Sequence, residues 1–302
     1  MDKAHLENDK RLEEMERYLA GIYERASKEI GESWKENLSK IGEEIDDLQK
    51  SYESAKKGGD KEEIKKAGRK LQQAKREKTL LDERYKALTE ETARQLLNVN
   101  QTAIAYINDQ LPEVYAVSYN ALEESVKDIR GYSFVLVDAA TVKSLALEDK
   151  SLLPFKKLDP KKDVPWNMKK INAEVLQGIL QGEAMDKIAD RIEKVQSMNQ
   201  TSAIRTARTA VTGAENKGRQ DSYERAVEDG VLMEKEWLAT KDNRVRHWHA
   251  ELDRKTADIE GFFSNAVGLI KFPGDPGAHP ANVYNCRCSM RAKIKGFKRV
   301  RK

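Results

Sequence analysis

Apolar residues in the first third of the sequence recur every three or four positions. Such stripes run from Leu12 to Ala26, from Leu38 to Ala55 and, after a gap, from Ile64 to Leu88. Because these spacings lie on one face of an α-helix, each stripe predicts a helix with one buried side. The gap is "KKGGDKEE" (56–63), where two adjacent glycines favour a turn. We therefore predict an antiparallel, coiled-coil-like helical hairpin with its turn near 57–60, preceded by a further helix.

The turn also contains the signals that begin a helix. Asp60 can cap the second hairpin helix, and Glu62 and Glu63 follow in its first turn, where the helix dipole favours acidic side chains. A hairpin helix of about 24 residues would extend about 36 Å at the usual rise per residue. Helical character continues over residues 92–130, and Pro112 is expected to break the helix there.

The middle of the chain departs from this helical pattern. "YSFVLVD" (132–138) is β-branched and aromatic and predicts a strand. "LPFKKLDPKKDVPW" (153–166) contains three prolines and predicts a linker, so we place the main domain boundary here. Residues 166–195 return to helical spacing around a central glycine, which predicts a helix, a turn and another helix.

The last third predicts one more helix and a few strands. A hydroxyl residue at 201 or 202 can cap the helix, and Gly230 would end it. A strand is expected around Trp237, a turn-rich loop at "FPGDPG" (272–277), and a final strand over 281–294.

Together these elements predict an α+β protein that is mostly α. The expected order is a helical N-terminal region with the hairpin (1–130), a strand and proline-containing linker (131–165), a small C-terminal α+β domain (166–290) and a basic tail (291–302).

Composition agrees with long, solvated helices joined to a modest core, since 35% of the 302 residues are charged and 39% are hydrophobic. No run of about 18 apolar residues occurs, so no membrane span is expected. The first 26 residues are charged throughout and lack the apolar core of a signal peptide. We therefore expect the protein to work in a reducing cytoplasm.

Charge is nearly balanced, with 55 basic and 51 acidic residues, but its distribution is uneven. The stretch 291–302 has seven basic residues and no acid, and can be either a solvated tail or a contact for nucleic acid. An aromatic content of 7% argues against a stacking groove for single strands. The candidate contacts are Arg291, Lys293, Lys295, Lys298, Arg299, Arg301 and Lys302.

Both cysteines of the chain lie in "VYNCRC" (283–288). In an extended segment Cys286 and Cys288 point to the same face and can share a partner. A disulfide between them would close a small strained ring, whereas two thiolates and one or two imidazoles suit tetrahedral zinc. The alternative is that both are small buried apolar residues.

Histidines near the cysteines could complete such a site. His249 is the best candidate, and His247 is a weaker one that forms a His-x-His pair with it if the chain is extended. A zinc-dependent hydrolase or nuclease would also need a carboxylate base, for which Asp242 and Glu251 are the close candidates. We find no oxyanion turn to support a nucleophilic cysteine.

The same region resembles the phage head morphogenesis or minor head proteins of tailed phages, a family that is Mu F-like. The resemblance covers roughly 166–290 and combines "TARTAVTGAENKGR" (206–219), "EWLATKDNRVRHWHAELD" (236–253), "FPGDP" (272–276) and "VYNCRC" (283–288). Order and spacing together make it specific. One departure is Arg254, where family members often have glycine, so the turn there can differ.

The resemblance implies a low-copy component of the virion, inside the head, that is assembled in the host cytoplasm. It implies binding to the portal and to capsid or scaffolding proteins, a role in procapsid assembly and DNA packaging or delivery, and proximity to double-stranded DNA. Members of the family are not established enzymes. The motif residues are expected to form one interior network around the three candidate metal ligands: Trp237, Asp242, Arg244, Arg246, Asp275, Asn285 and Arg287.

Overall fold

A computed structural model describes residues 2–129, 132–149, 152–153 and 157–298 of the chain. Helices dominate it, so the predicted mostly-α α+β class is confirmed. The helices are α1 (Lys3–Glu44), α2 (Asp46–Gly58), α3 (Lys61–Leu80), α4 (Glu83–Asn120), α5 (Glu123–Val126), α6 (Ala139–Glu148), α7 (Pro160–Leu180), α8 (Met185–Asp190), α9 (Ile192–Glu228), α10 (His247–Ala250) and α11 (Pro280–Val283). None of the described helices is both long enough and apolar enough to cross a bilayer.

The strands lie toward the C-terminal end. They are β1 (Val231–Leu238), β2 (Thr256–Asp258), β3 (Phe263–Asn265), β4 (Gly268–Ile270) and β5 (Ser289–Phe297). One antiparallel sheet has the order β2-β1-β5, and β3 pairs with β4 as a hairpin. Val231, Met233, Lys235 and Trp237 of β1 are buried, because the face of the sheet that they share packs on the core.

The predicted helical hairpin is present as α2 and α3. Gly59 connects them in a left-handed conformation with φ of 76°, which glycine adopts without a Cβ clash. The carboxylate of Asp60 accepts hydrogen bonds from the backbone amides of Glu62 at 2.8 Å and Glu63 at 3.4 Å, as its capping role predicts. Helix α2 contains no fully buried residue, so most of the hairpin surface is free to contact other molecules.

The chain divides into two compact units. The first comprises residues 1–18, 104–156 and 203–302, and the second comprises 19–103 and 157–202. Helices α1, α4 and α9 each contribute residues to both units. Each unit is therefore built from segments that lie far apart in sequence.

The core of the second unit is centred on Trp34. Its indole packs edge-on against Tyr85 with ring centroids 5.7 Å apart, and its Nε1–H donates to the Thr92 hydroxyl at 2.9 Å. Helices α7 and α8 cover this cluster through the buried side chains of Ile171, Val175, Ile179 and Ile188.

The core of the first unit has two clusters on the buried face of the sheet. One joins Tyr223 and Ala226 of α9 to Val231 and Met233 of β1. The other surrounds Trp237 with Ala239, Leu252, Phe263, Ile270 and both cysteines.

Several sequence-based expectations about element boundaries were wrong. Helix α4 continues through Pro112. The proline removes one helical hydrogen bond, but its buried neighbours Leu111 and Val114 hold the helix in place. The expected cap at 201–202 lies inside α9, which begins at Ile192.

The run 132–138 is not a strand. The backbone of Val137 pairs instead with the side-chain amide of Asn120, at 3.0 Å for the Val137 amide and 2.7 Å for its carbonyl. Val135 and Leu136 are exposed. β-Branched composition favours a strand only where a partner strand is available.

Part of the expected proline linker is helical. Asp159 caps α7 and Pro160 occupies its first position, which is the arrangement that a helix start favours. Residues 154–156 of the predicted linker lie outside the described residues. The expected final strand over 281–294 is shorter at its start, because α11 occupies 280–283 and β5 begins at Ser289.

Candidate metal centre

Three of the predicted metal ligands converge in the first unit. His249 Nδ1 lies 3.5 Å from Cys286 Sγ and 3.6 Å from Cys288 Sγ. The three ligand atoms lie within 4.8 Å of one another, and each residue is at most 2% exposed. Among the described residues, this is the one group of three or more histidine, cysteine or acidic side chains placed to share an ion.

The His249 ring is oriented by a pair of asparagines. Its Nε2 lies 3.3 Å from Asn282 Oδ1. The same oxygen accepts from Asn265 Nδ2 at 3.1 Å, and Asn282 Nδ2 returns a longer bond of 3.4 Å to Asn265. Because an amide oxygen only accepts, His249 must carry its proton on Nε2, which leaves the lone pair of Nδ1 directed at the two sulfurs.

The two cysteines are held against α9 through their backbone carbonyls. The Thr212 hydroxyl donates to the Cys286 carbonyl at 2.6 Å, and Asn216 Nδ2 donates to the Cys288 carbonyl at 3.2 Å. Thr212 and Asn216 are both buried. The cysteine segment is therefore fixed by polar contacts even though it precedes β5 and is not in the sheet.

The two thiols have unequal proton affinities. Hydrogen bonding from Cys286 lowers the pKa of Cys288, and burial opposes this shift. The same hydrogen bond, together with burial, raises the pKa of Cys286. Without an ion, the pair therefore favours one thiolate and one thiol that share a proton.

The alternative ligand His247 lies elsewhere. Residues 247–250 form α10 instead of an extended strand, and in a helix side chains two positions apart point to nearly opposite sides. His247 is accordingly exposed and packs against Trp248, whereas His249 is buried. His279 caps α11, where its Nδ1 accepts from the Ala281 amide at 3.2 Å.

Asp242 and Arg287 form a two-bond ion pair beside the metal ligands. Arg287 donates from Nη1 to Asp242 Oδ2 at 2.5 Å and from Nη2 to Oδ1 at 3.0 Å. Arg244 is more distant, at 3.7 Å from the same carboxylate. Arg246 instead donates to the Tyr284 carbonyl.

The remaining motif residues have separate local roles, so the expected single network is divided. Trp237 is fully buried, and its ring packs edge-on against His249 at 5.4 Å. The Asp275 carboxylate accepts from the Lys271 amide at 3.0 Å and the Gly277 amide at 2.8 Å, which shapes the loop. Asn285 has a positive φ of 57°, and its amide donates to the Thr209 hydroxyl at 2.9 Å.

Glycine is required where the 272–277 loop meets α9. Gly274 has φ of 81°, and a Cβ there would lie 2.7 Å from the Gly213 backbone nitrogen. The loop can therefore approach the helix only because neither residue has a side chain.

The basic residues predicted to contact nucleic acid are only partly in a tail. Arg291, Lys293 and Lys295 lie in β5, so the sheet extends into the predicted basic tail. Lys298 follows the strand, where its amide donates to the Gly230 carbonyl at 2.8 Å. The other three candidates, Arg299, Arg301 and Lys302, lie outside the described residues.

Sequence reasoning missed the residues that support the ligands. Asn282 orients His249, and Thr212 and Asn216 hold the cysteine backbone. Thr212 and Asn216 lie within the "TARTAVTGAENKGR" stretch, but no local pattern shows which of its polar residues face the cysteines.

Comparison with known proteins places this region in context. Residues 169–291 match the family model described as Phage Mu protein F like protein. The Minor head protein GP7 of Bacillus phage SPP1 is 27% identical over 292 residues, which cover 94% of this chain and 87% of that protein. The NAD(+)--arginine ADP-ribosyltransferase EFV of Enterococcus faecalis is 31% identical over 127 residues, which cover 42% of this chain but only 26% of the enzyme. No solved structure matched the chain.

Proposed function

We propose that this chain is a phage minor head protein and that it acts in procapsid assembly and in DNA packaging or delivery. The match to Minor head protein GP7, which extends over 94% of the chain, is the observation that carries the proposal. The protein would bind the portal and contact capsid or scaffolding proteins during assembly in the host cytoplasm. It would then remain inside the head, close to packaged DNA.

The α2–α3 hairpin is the proposed docking element. Its helices pair with each other, and α2 has no fully buried residue. A helical hairpin of this kind can present its exposed side chains to a large ring while Leu71, Lys75 and Thr79 anchor α3 in the core.

Co-expression with the portal, capsid and scaffolding proteins of the same phage tests the assembly role. We expect the chain to co-purify with procapsids that contain the portal and to be lost when the portal gene is omitted. Recovery of procapsids without the chain, under conditions where it is folded and abundant, would contradict the proposal.

The proposed contact with DNA rests on β5 and a cavity beside it. A cavity of about 400 Å³ is lined by Arg219, Arg254, Arg291 and Lys293, together with the carboxylate of Asp2. Asp2 pairs with Arg219 at 2.6 Å. The cavity therefore retains positive charge that suits the phosphates of a nucleic-acid backbone.

Three of these cations differ in how firmly they are paired. Arg291 lies 2.5 Å from the buried carboxylate of Glu236, whereas Arg254 lies 3.8 Å from it. Within the described parts of the chain, Lys293 has no carboxylate at ion-pair distance, although its strand neighbour Lys295 pairs with Glu234 at 3.1 Å. Arg254 and Lys293 are thus the residues best placed to contact phosphate.

The backbone of Arg254 provides a sharp test. Its φ of 66° is a left-handed conformation that costs a side-chain-bearing residue about 1 kcal/mol and that glycine adopts freely. Arg254→Gly should therefore keep the fold while removing one cation. In a plot of the logarithm of the duplex binding constant against the logarithm of the salt concentration, we expect Arg254→Gly and Lys293→Gln each to reduce the steepness of the slope by about one.

The matched control is Lys295→Gln, on the same strand but paired with Glu234. It should leave duplex affinity nearly unchanged in a fluorescence anisotropy titration at several salt concentrations. Equal losses for all three variants would indicate a non-specific charge effect and would contradict the cavity as the contact. Competition with inorganic phosphate separates binding of free anions from binding of DNA.

The alternative of a zinc-dependent hydrolase receives less support. Hydrolysis at a metal needs a base and a route for substrate, but Asp242 is engaged by Arg287 and the three ligands are buried. The ADP-ribosyltransferase match spans about a quarter of that enzyme, so it supports a shared region and no shared activity. We propose a non-enzymatic role.

A further inference from the structure

We propose that His249, Cys286 and Cys288 bind one zinc ion, which fastens the segment before β5 to the segment around α10. The proposal rests on the geometry of this site and is independent of the proposed role in phage assembly. It assigns a structural metal to the first unit.

The ligand distances fit a tetrahedral ion. Zinc lies about 2.0 Å from a histidine nitrogen and about 2.3 Å from a thiolate sulfur, so a tetrahedral angle puts nitrogen and sulfur about 3.5 Å apart. His249 Nδ1 lies 3.5 Å and 3.6 Å from the two sulfurs. Both nitrogen–sulfur distances match this value.

Hydrogen bonds alone do not account for this arrangement. Nδ1 has a single lone pair in the ring plane and can accept one good hydrogen bond, yet two sulfurs lie at nearly equal distances from it. An ion placed among the three atoms would use that lone pair and both sulfurs together. Burial of two thiols and an imidazole is also costly when their polar atoms are only partly satisfied.

The surrounding contacts are those of an oriented metal site. Metal-bound histidines usually donate their second ring N–H to an oxygen, as His249 Nε2 does to Asn282. Thr212 and Asn216 fix the cysteine backbone, so the thiols are held in position before any ion arrives. These partners come from α9 and α11, which would make ligand placement a property of the whole C-terminal fold.

The donor set selects the metal. Two thiolates and an imidazole favour zinc over magnesium or calcium, which take oxygen ligands. The three side chains supply three of four tetrahedral positions and leave one for a water molecule. Zinc with two thiolates is neutral, so the buried site would hold no net charge. Binding would release the proton that the cysteine pair shares, with no change of oxidation state.

The ion would also connect distant parts of the sequence. His249 is 37 residues from Cys286 and 39 from Cys288. The short strands β3 and β4 and the 272–277 loop lie between these ligands. These loop-rich segments have few regular hydrogen bonds, so a metal crosslink would stabilise them more than a well-formed helix.

Metal analysis of the full-length chain tests the proposal. Protein purified without chelator, or refolded with zinc, should contain about one zinc ion per chain when measured by inductively coupled plasma mass spectrometry. Cys286→Ser/Cys288→Ser and His249→Asn should each lose nearly all of it. His247→Asn is the matched control, because this exposed neighbour is not in the cluster. It should retain the full amount.

Two further measurements test the proposal even if the cysteine variant is unfolded. Cobalt added to the metal-free wild-type chain should produce thiolate-to-metal charge-transfer absorption, which requires no substitution. Asn282→Ala should weaken zinc binding by about 10- to 100-fold, because it frees the His249 ring. A wild-type chain that takes up no zinc, equal zinc in the cysteine variant, or a cysteine pair oxidised in the native protein would each overturn the proposal.

Discussion

The carboxylate of Asp242 and the guanidinium of Arg287 connect two segments that are 45 residues apart in sequence. Their two parallel hydrogen bonds fix the orientation of both groups, and Thr240 holds the Arg287 carbonyl at 2.6 Å. The predicted network contained Asp242 and the three arginines Arg244, Arg246 and Arg287, but the sequence alone does not select the arginine that pairs with Asp242. The choice depends on the position of β5, which is set by long-range packing and not by local pattern.

Removal of the Asp242 charge should have a small, pH-dependent effect on stability. Hydrogen bonding from Arg287 lowers the pKa of Asp242 to about 2, so the pair stabilises the fold above the usual carboxyl pKa and loses this contribution as the pH falls toward 2. Because the pair is partly exposed, we expect Asp242→Asn to reduce the free energy of unfolding by about 1 kcal/mol at neutral pH. Urea denaturation at pH 7 and pH 3 tests this, and an equal loss at both values would contradict it.

Lys235 gives a second pH dependence of the same sign, in a higher pH range. Its amine is buried, donates to Gln220 at 3.0 Å and to the Ile259 carbonyl at 2.8 Å, and its pKa is lowered by burial and by Lys271 to about 7. Between pH 7 and about 10 the unfolded chain holds a proton that the folded chain lacks, so stability should rise with pH.

Lys235→Met should remove that rise, which is at most about 1.4 kcal/mol per pH unit. Unfolding of the wild type and the variant would be compared across this pH range, with exposed Lys65→Met as the control for a lost lysine. If the free energy of unfolding of the wild type does not change from pH 7 to pH 10, the lowered pKa of Lys235 is contradicted.

At the scale of elements, turns and helix starts were predicted correctly where the residues that form them are adjacent in sequence. The glycine turn and the Asp60 cap of the hairpin depend on residues next to each other in sequence. Asp159-Pro160 is an equally local helix start, but the prolines around it suggested a linker. The run 132–138 could not be assigned from sequence, because a strand needs a partner and the described structure provides Asn120 instead.

Close packing of α4 against α9 depends on Gly218. A Cβ at this position would lie 2.5 Å from the Tyr115 carbonyl oxygen and 3.2 Å from the Tyr119 nitrogen, and both are backbone atoms of α4. Gly218→Ala must therefore move one helix, and we expect a loss of about 1–3 kcal/mol in the free energy of unfolding.

Gly31→Ala is the matched control within a helix. No atom lies within 4 Å of the added Cβ, so the better helix propensity of alanine should stabilise the chain by about 0.5–1 kcal/mol. Denaturant titrations of both variants decide the matter. Similar effects of the same sign would show that helix propensity, and not the contact with α4, determines how Gly218→Ala changes the free energy of unfolding.

At the scale of the whole molecule, residues far apart in sequence build each unit. The candidate site draws on α9, α10, α11 and the segment before β5, which explains why its ligands could be predicted by residue type and its supporting asparagines could not. The hairpin is different, because α2 and α3 are neighbours in sequence and pair with each other. It is therefore the part that can be shortened with least effect elsewhere.

Replacing residues 51–69 with a short glycine-serine turn should separate docking from folding. The buried residues Leu71, Lys75 and Thr79 of α3 remain, and the change removes Tyr52 from the partly buried residues that pack against the core of the second unit. We expect unchanged metal content and nearly unchanged thermal stability, but a large reduction in co-purification with portal-containing procapsids. Arg254→Gly is the control, since it alters the basic cavity and not the hairpin. If the shortened chain enters procapsids as efficiently as the wild type, the hairpin is not the portal contact, and that contact lies on another surface.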